Sequence, residues 1–169
     1  MLPVVTPAQM KVVDATATDP QEVLIQRAGH AVANVAIRML GGSYGRRVNV
    51  IAGKGNNGQD GLIAARLLQR RGVRCKIYDP NASALAGADL VIDAAYGTGF
   101  RDTWQPPPQP ECPVLAVDIP SGIDGLTGAD KGSLQAQRTV TFGALKPGLL
   151  LEPGASRAGP VSYTHLTLP

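Results

Sequence analysis

VNVIAGKGNNGQDG, from Val48 to Gly61, joins a short β-branched strand to a glycine-rich run. The apolar residues predict a strand over Val48–Ala52, and the residues after the run predict a helix over Leu62–Arg71. Because a strand, a glycine-rich turn and a helix in this order begin a βαβ unit, the segment indicates a parallel sheet.

The rest of the chain continues this alternation. Apolar spacing near 3.6 predicts a helix over Pro20–Leu40, with Asp19 as its N-cap. An α/β fold with a doubly wound sheet follows from strands alternating with crossovers. Further strands are predicted at 74–78, near 90–93, at 114–118 and 139–142, with an apolar start at Val161.

One crossover differs from the others. Between Asp93 and Val114, where a βαβ unit normally has a helix, the chain contains the proline run Pro106–Pro108. Proline favours an extended polyproline conformation, so we expect an extended connection here.

Composition excludes several classes of protein. The 169 residues include 20 Gly and 14 Pro, and 44% are hydrophobic, which suits one globular domain. A net charge of +3 with scattered basic residues and 4% aromatics argues against nucleic-acid binding. No apolar run approaches the roughly 18 residues of a membrane span. Cys75 and Cys112 form no CxxC pair, and the N-terminus lacks signal-peptide features, so we expect a cytoplasmic protein.

The glycine run permits more than one interpretation. Gly53, Gly55 and Gly58 satisfy GxGxxG, and Asp79 follows about 20 residues later, as in nicotinamide dehydrogenases. Against that interpretation, a carboxylate at Asp60 on the helix N-terminus would repel a pyrophosphate bound there. A tight glycine turn capped by Asp60, with no ligand, remains a further alternative.

Two carboxylates end strands that we expect to be neighbours. Asp93 and Asp118 are each followed by a glycine-rich loop, although either could simply cap a turn. Together they would repel unless a cation, a proton or strong donors compensated their charge. Asn57, Asp93 and Ser121 could supply oxygen ligands, which suit a hard cation better than zinc.

Three other polar residues are weaker candidates. His30 lies on the first predicted helix and has a structural role in this interpretation. Lys146 follows a strand and precedes Pro147-Gly148, where it could meet a phosphate or point into solvent. His165 is assigned no role.

Several motifs of the chain point in combination to one family. They are GNNGQDG, VIDAAYGTGF, VLAVDIPSGIDGLTG and TVTFGALKPGL, preceded by VVTPAQMKVVD and QRAGHAVA. Together they resemble the YjeF N-terminal domain family, the NAD(P)HX epimerases. The resemblance covers Val4 to Val161 and implies a Rossmann-like, mainly parallel sheet in a three-layer sandwich, and a homodimer. It also implies epimerisation of the R and S forms of hydrated NADH or NADPH, and a bound potassium ion.

The resemblance also implies site residues by position. The potassium ligands would be Asn57, Asp93 and Ser121. Gln59 stands where the family commonly has Gly, and the segment 101–113 is shorter and richer in proline than usual. The substrate-binding residues would be Asn56, Asn57, Gly58, Gln59, Asp60, Gly97, Thr98, Gly99, Phe100, Arg101, Asp102, Thr103 and Asp118.

The chemistry of the hydrated ring suggests a catalytic residue. Its hydroxyl-bearing carbon is bonded to the ring nitrogen, so configuration can invert by loss of hydroxyl to an iminium or by ring opening. Both routes need a proton moved at that oxygen, and our hypothesis assigns this acid/base role to Asp118. A non-catalytic nucleotide-binding or scaffold protein and a dehydrogenase remain the alternatives.

The resemblance places an epimerase domain at residues 1–160. Residues 161–169 do not resemble the family, so we expect a truncated or non-native tail there. Many bacterial members continue into a kinase-like dehydratase domain that uses ATP or ADP, and the sequence leaves open whether this chain is part of such a bifunctional protein.

Overall fold

The structure is a computed structural model that describes residues 2–164. It contains six strands and four α-helices, and one 3-10 turn at Pro147–Leu149 lies between the fifth strand and the fourth α-helix. The elements are α1 (Pro7–Thr16), α2 (Gln21–Leu40), β1 (Arg47–Ala52), α3 (Asn56–Arg70), β2 (Arg74–Tyr78), β3 (Leu90–Ala94), β4 (Val114–Val117), β5 (Arg138–Phe142), α4 (Gly154–Ala158) and β6 (Val161–Thr164).

The described strands form one parallel sheet in the order β2-β1-β3-β4-β5-β6. The α/β class expected from the sequence is therefore confirmed. From β1 the chain adds β2 on one side of the sheet and then β3 to β6 on the other, so the strand order switches between β1 and β3. In such sheets, ligands bind beyond the carboxyl ends of the strands at this switch point. Asp93 of β3 pairs in register with Ile51 of β1 and Ala116 of β4, so it lies centrally at that end.

Helices α2 and α3 cover one face of the sheet. Alternate apolar residues of the central strands, such as Val50 and Ile92, are fully buried beneath them. The two helices approach closely at Gly29, where an added Cβ would lie 2.3 Å from Cγ2 of Ile63. This close packing brings α2 over the first turns of α3.

The other face is covered by extended chain. Trp104, in the proline-rich connection, is only 3% exposed and packs in a cluster with residues of β3 and β4. Its indole Nε1 donates a hydrogen bond to the Pro80 carbonyl at 2.9 Å, and its ring meets Tyr96 edge-on. Between residues 95 and 113 the chain forms no helix, as the prolines predicted.

Two helix starts differ from the sequence-based expectation. The helix predicted from Leu62 already begins at Asn56, immediately after Gly55. Its first turn lies so close to β1 that a Cβ on Gly58 would be 1.8 Å from the Gly53 carbonyl oxygen, and only glycine fits there. Asp19 does not cap α2, because its carboxylate instead accepts a hydrogen bond from Arg27 at 2.6 Å.

Helix α1 was not predicted, although the sequence contains its signal. Thr6 and Gln9 form a reciprocal capping box: Thr6 N donates to the Gln9 side chain at 2.8 Å, and Gln9 N donates to the Thr6 hydroxyl at 3.2 Å. Pro7 occupies the first helical position, as is common.

Residues 161–164 of the expected atypical tail form β6 and pair with β5. Residues 165–169, including His165, lie outside the described residues. Among the helices that the structure describes, none combines the length and apolar character needed to cross a membrane.

Candidate active site

A cavity of about 740 Å³ opens at the carboxyl end of the sheet, beyond the ends of the neighbouring strands β1 and β3. This volume is typical of a small-molecule site. Its walls come from the segments after β1, β3, β4 and β5, with α1 and α2 closing one side. The polar and charged lining residues are Asp19, Gln21, Lys54, Asn56, Asn57, Asp60, Tyr96, Thr98, Asp118 and Lys146.

Most of the expected substrate-binding residues line this cavity. Five do not: Gly58 is buried beneath Gly53, Gln59 faces a separate groove between α2 and α3, and Arg101, Asp102 and Thr103 are exposed on the loop surface. His30 is also exposed and lies in that separate groove. The expected substrate-binding residues that do line the cavity are Asn56, Asn57, Asp60, Gly97, Thr98, Gly99, Phe100 and Asp118.

Asp118 forms an ion pair with Lys146 at the floor of the cavity. The Lys146 ammonium donates to Asp118 Oδ1, to the Thr141 hydroxyl at 3.0 Å and to the Phe142 carbonyl at 3.0 Å. Thr141 also donates to Asp118 Oδ1, at 3.1 Å. Because Lys146 is only 1% exposed and its three protons all have acceptors, the pair is rigidly held.

The backbone at Asp118 explains how this side chain reaches its partners. Asp118 has φ 68°, a left-handed conformation that non-glycine residues rarely adopt. Its N–H still donates to the Val140 carbonyl at 2.6 Å, so the turn is anchored to β5. Strained residues of this kind are concentrated at functional sites, and here the conformation ends β4 at Val117 and turns the carboxylate toward β5.

Asp60 lies in the same cavity in a different environment. It is the fifth residue of α3 and so does not cap the helix, contrary to the sequence-based alternative of a capped turn. The residue is 7% exposed, and its Oδ1 has no hydrogen-bond partner among the described residues. Burial, and to a lesser extent the nearby Asp118 carboxylate, raises the pKa of Asp60 to about 8.

The expected potassium ligands are only partly brought together. The fully buried Asp93 accepts hydrogen bonds from the Ser121 hydroxyl at 2.5 Å and the Ser121 N–H at 2.9 Å. Ala95 N also donates to it, at 3.3 Å, yet burial still raises the pKa of Asp93. Asn57 lies beside Gly97, and its buried Nδ2 lacks a partner among residues 2–164.

Lys146 is the main residue that the sequence left undecided. The structure excludes the solvent-facing alternative, because the side chain is buried against Asp118. Its position after β5 and before Pro147-Gly148 was the available signal, but spacing alone could not show that it meets a residue 28 positions earlier. The sequence assigned no site role to α1 and α2, although Met10 lies within the motif VVTPAQMKVVD; Met10 and Leu24 both line the cavity.

Comparison with known proteins extends these observations. The model of a family described as the YjeF-related protein N-terminus matches residues 21–85 and 76–148. In fold, the chain is similar to the crystal structure of yeast ynu0 (YNL200c), with a TM-score of 0.73 and 22% identity, over 97% of this chain and 87% of that one.

Curated relatives are of two lengths. The chain is 35% identical to the NAD(P)H-hydrate epimerase of Limosilactobacillus fermentum, covering 93% of each protein. It is 32% identical to the bifunctional NAD(P)H-hydrate repair enzyme Nnr of Moorella thermoacetica over 98% of this chain. The chain spans only 40% of the length of that bifunctional relative.

Proposed function

We propose that this chain, which belongs to the YjeF-related protein N-terminus family, is an epimerase that interconverts the R and S forms of hydrated NADH and NADPH. The observation that carries the proposal is the placement of Asp118, with its Lys146 partner, in the cavity at the β1–β3 switch point. That is the position at which doubly wound sheets bind nucleotides.

The first turn of α3 and the loop after β3 would bind the substrate. Asn56 and Asn57 stand at the N-terminus of α3, whose unpaired N–H groups and dipole favour phosphate groups. Lys54 lines the same side and adds a positive charge. The Gly97–Phe100 loop, with the Tyr96 and Phe100 rings stacked at 4.1 Å, would contact the rest of the nucleotide.

Asp118 would exchange a proton with the hydroxyl of the hydrated ring. That carbon also bears the ring nitrogen, so its configuration is lost when the hydroxyl leaves or the ring opens, and either step needs proton transfer at oxygen. Lys146 fixes the Asp118 carboxylate in place and excludes water from its inner side. The arrangement therefore suits an acid/base reaction.

A potassium ion is part of the proposal. Asn57, Asp93 and Ser121 would hold it, because their oxygens are hard ligands and the buried Asp93 carboxylate gains from a compensating charge. Asn57 would use its Oδ1 for this, because its Nδ2, unpartnered among the described residues, is a hydrogen-bond donor and does not bind a cation. When bound, the ion would supply positive charge near the substrate phosphates. We expect the epimerisation rate to fall when tetramethylammonium replaces potassium in the buffer.

The chain is also proposed to act in the cytoplasm as a homodimer. Light scattering after size-exclusion chromatography tests the assembly, and a mass near twice 17.6 kDa is the expected result. In this proposal, epimerisation does not require a dehydratase domain such as that of the bifunctional relatives, because this chain covers 93% of the Limosilactobacillus fermentum relative, which is named for the epimerase alone.

A direct assay tests the function. A single purified epimer of hydrated NADPH is incubated with the protein, and the approach to the epimer mixture is followed by chromatography. Asp118→Asn should slow this approach by about 100-fold or more. Asp89→Asn is the matched control, since Asp89 lies at the opposite end of the sheet, where its carboxylate accepts from Arg47 N.

The alternatives give different results in the same assay. A binding or scaffold protein would retain the substrate without equilibrating it, and a dehydrogenase would reduce ordinary NAD in the presence of a suitable donor. An Asp118→Asn variant that equilibrates the epimers at a near wild-type rate would refute the catalytic assignment and leave the function itself standing.

A further inference from the structure

Asp60 is a buried carboxyl group that the proposed function leaves without a chemical role. It follows Asn57 by three residues on α3, so both side chains lie on the helix face that borders the cavity. Asn57 stands at the helix N-terminus, where phosphate binds well, whereas Asp60 lies one turn deeper. A carboxyl group there is poorly placed to bind phosphate.

The packing of α2 keeps water away from Asp60. Gly29 of α2 is so close that an added Cβ would lie 3.2 Å from the Asp60 carbonyl oxygen. The α2 residues that line the cavity are uncharged: Gln21, Leu24, Ile25 and Ala28. Asp60 lines the cavity but is only 7% exposed, and its Oδ1 is buried with no hydrogen-bond partner among the described residues.

The charged groups around the same cavity do not pair with Asp60. Lys146 gives its three protons to Asp118, Thr141 and the Phe142 carbonyl. Asp19 is engaged by Arg27, and Lys54 is exposed at the cavity rim. With burial dominant and Asp118 the nearby carboxylate, the pKa of Asp60 rises to about 8, so the group is mostly protonated at neutral pH.

We propose that Asp60 is a second catalytic residue, which donates a proton to the departing hydroxyl while Asp118 acts as the base. This inference rests on the proposed epimerase function. The two carboxyl groups share one cavity, but one is ion-paired and the other is buried without a partner. In other enzymes, such opposite surroundings make one of two carboxyl groups the acid and the other the base.

In this proposal, epimerisation proceeds by loss and re-addition of water at the hydrated carbon. The Asp60 proton goes to the hydroxyl oxygen, the carbon–oxygen bond breaks with its electron pair on oxygen, and water leaves. The ring-nitrogen lone pair forms the iminium double bond. Water then adds to the opposite face of that carbon, the nitrogen regains its electron pair, and the released proton goes to Asp118. Transfer of this proton back to Asp60 through water restores both groups.

The test compares Asp60→Asn with wild type and with the Asp89→Asn control, using the full chain and a single epimer of hydrated NADPH. We expect kcat to fall by about 100-fold or more, whereas the Kd for the hydrate changes by less than about threefold. In wild type, kcat should decline above a pH of about 8, as Asp60 ionises. Asp60→Glu, which keeps a proton donor, should recover part of kcat and retain the decline.

Several results would overturn the inference. If Asp60→Asn remains near wild-type kcat, or if its Kd weakens in proportion to the loss of rate, Asp60 does not donate the proton. If wild type itself does not equilibrate the epimers, the epimerase proposal fails and the role of Asp60 fails with it. These failures are distinguishable, because only the last one affects the unmodified protein.

A measurement on wild type alone covers the case in which Asp60→Asn does not fold. Carbon-13 NMR of labelled Asp carboxyl groups, with the Asp60 signal assigned through its backbone correlations, should show the Asp60 carboxyl titrating near pH 8. If the Asp60 carboxyl titrates below about pH 6, the proton donor is absent and the inference is wrong.

Discussion

Asp118 and Asp60 border one cavity, yet their surroundings are opposite. Asp118 lies at the turn after β4, with a buried lysine, a threonine hydroxyl and a backbone N–H directed at its Oδ1. Asp60 lies on α3, 7% exposed, with an oxygen that has no partner in the described residues. The same side chain is therefore held as a charged acceptor in one place and is favoured as a neutral donor in the other.

The difference shows that the surroundings of each carboxyl group depend on the secondary-structure element that carries it. A strand-end turn directs Asp118 toward the neighbouring strand β5, where Thr141 and Lys146 are within reach. A helix covered by α2 buries Asp60 without offering such partners. Two variants test this contrast through stability, and a third tests through substrate affinity whether a loop residue outside the cavity belongs to the site.

Lys146→Met should have the largest effect. It leaves the Asp118 carboxylate without its buried cation, and we expect the free energy of unfolding to fall by about 3 kcal/mol. Urea unfolding at pH 7 measures this change. In the double variant with Asp118→Asn, the loss should be clearly smaller than the sum of the two single losses, because the unpaired charge has gone. If the two single losses of unfolding free energy add without any shortfall in the double variant, Lys146 and Asp118 do not interact energetically.

Asp60→Asn should change how stability depends on pH. Between pH 4 and 8 the unfolded chain is ionised at this position, whereas the folded chain keeps the proton, because the pKa in the folded state is about 8. Raising the pH therefore favours unfolding of wild type, by up to about 1.4 kcal/mol per pH unit relative to the variant.

Urea unfolding of both proteins at pH 5, 6 and 7 measures that difference. Asp89→Asn serves again as the control, since its carboxylate is partly exposed at the other end of the sheet. A gap between wild type and Asp60→Asn that stays constant with pH would show that Asp60 is ionised in the folded protein.

Arg101→Ala should have the smallest effect. Its guanidinium donates to the Thr98 carbonyl at 2.8 Å and the Phe100 carbonyl at 3.2 Å, within its own loop, and does not line the cavity. We expect the KM for the hydrate to change by less than about threefold. Steady-state kinetics measure it, and a rise of tenfold or more would restore Arg101 to the substrate-binding residues that the sequence indicated.

Much of the architecture could be predicted because its signals are local. The alternation around Val48–Gly61 predicted β1 and a following helix, and the prolines after Asp93 predicted an extended connection. The start of α3 was placed too late, because the glycines and asparagines have low helix propensity, while close packing against β1 overrides that preference.

The sequence predicted at which end of the sheet the candidate site lies, but it did not predict the ion pairing and burial of the charged groups there. Asn57, Asp93, Asp118 and Ser121 were singled out because they follow strand ends, and parallel strands bring their carboxyl ends to one edge. The helix-capping role considered for Asp60 was wrong, since the residue lies beyond the first helical turn. Its state depends on burial by α2, and the motif QRAGHAVA, which contains Gly29, gave no indication that this residue packs against Asp60.

The sequence by itself determined the α/β class, the edge of the sheet at which the cavity opens and the polar residues available there, since spacing and turn chemistry act between near neighbours in the chain. Only the tertiary structure decided that Lys146 pairs with Asp118, 28 residues away, and that Asp60 is buried with an unpartnered oxygen. Protonation depends on desolvation and on charges in space, and both arise only when distant elements pack together.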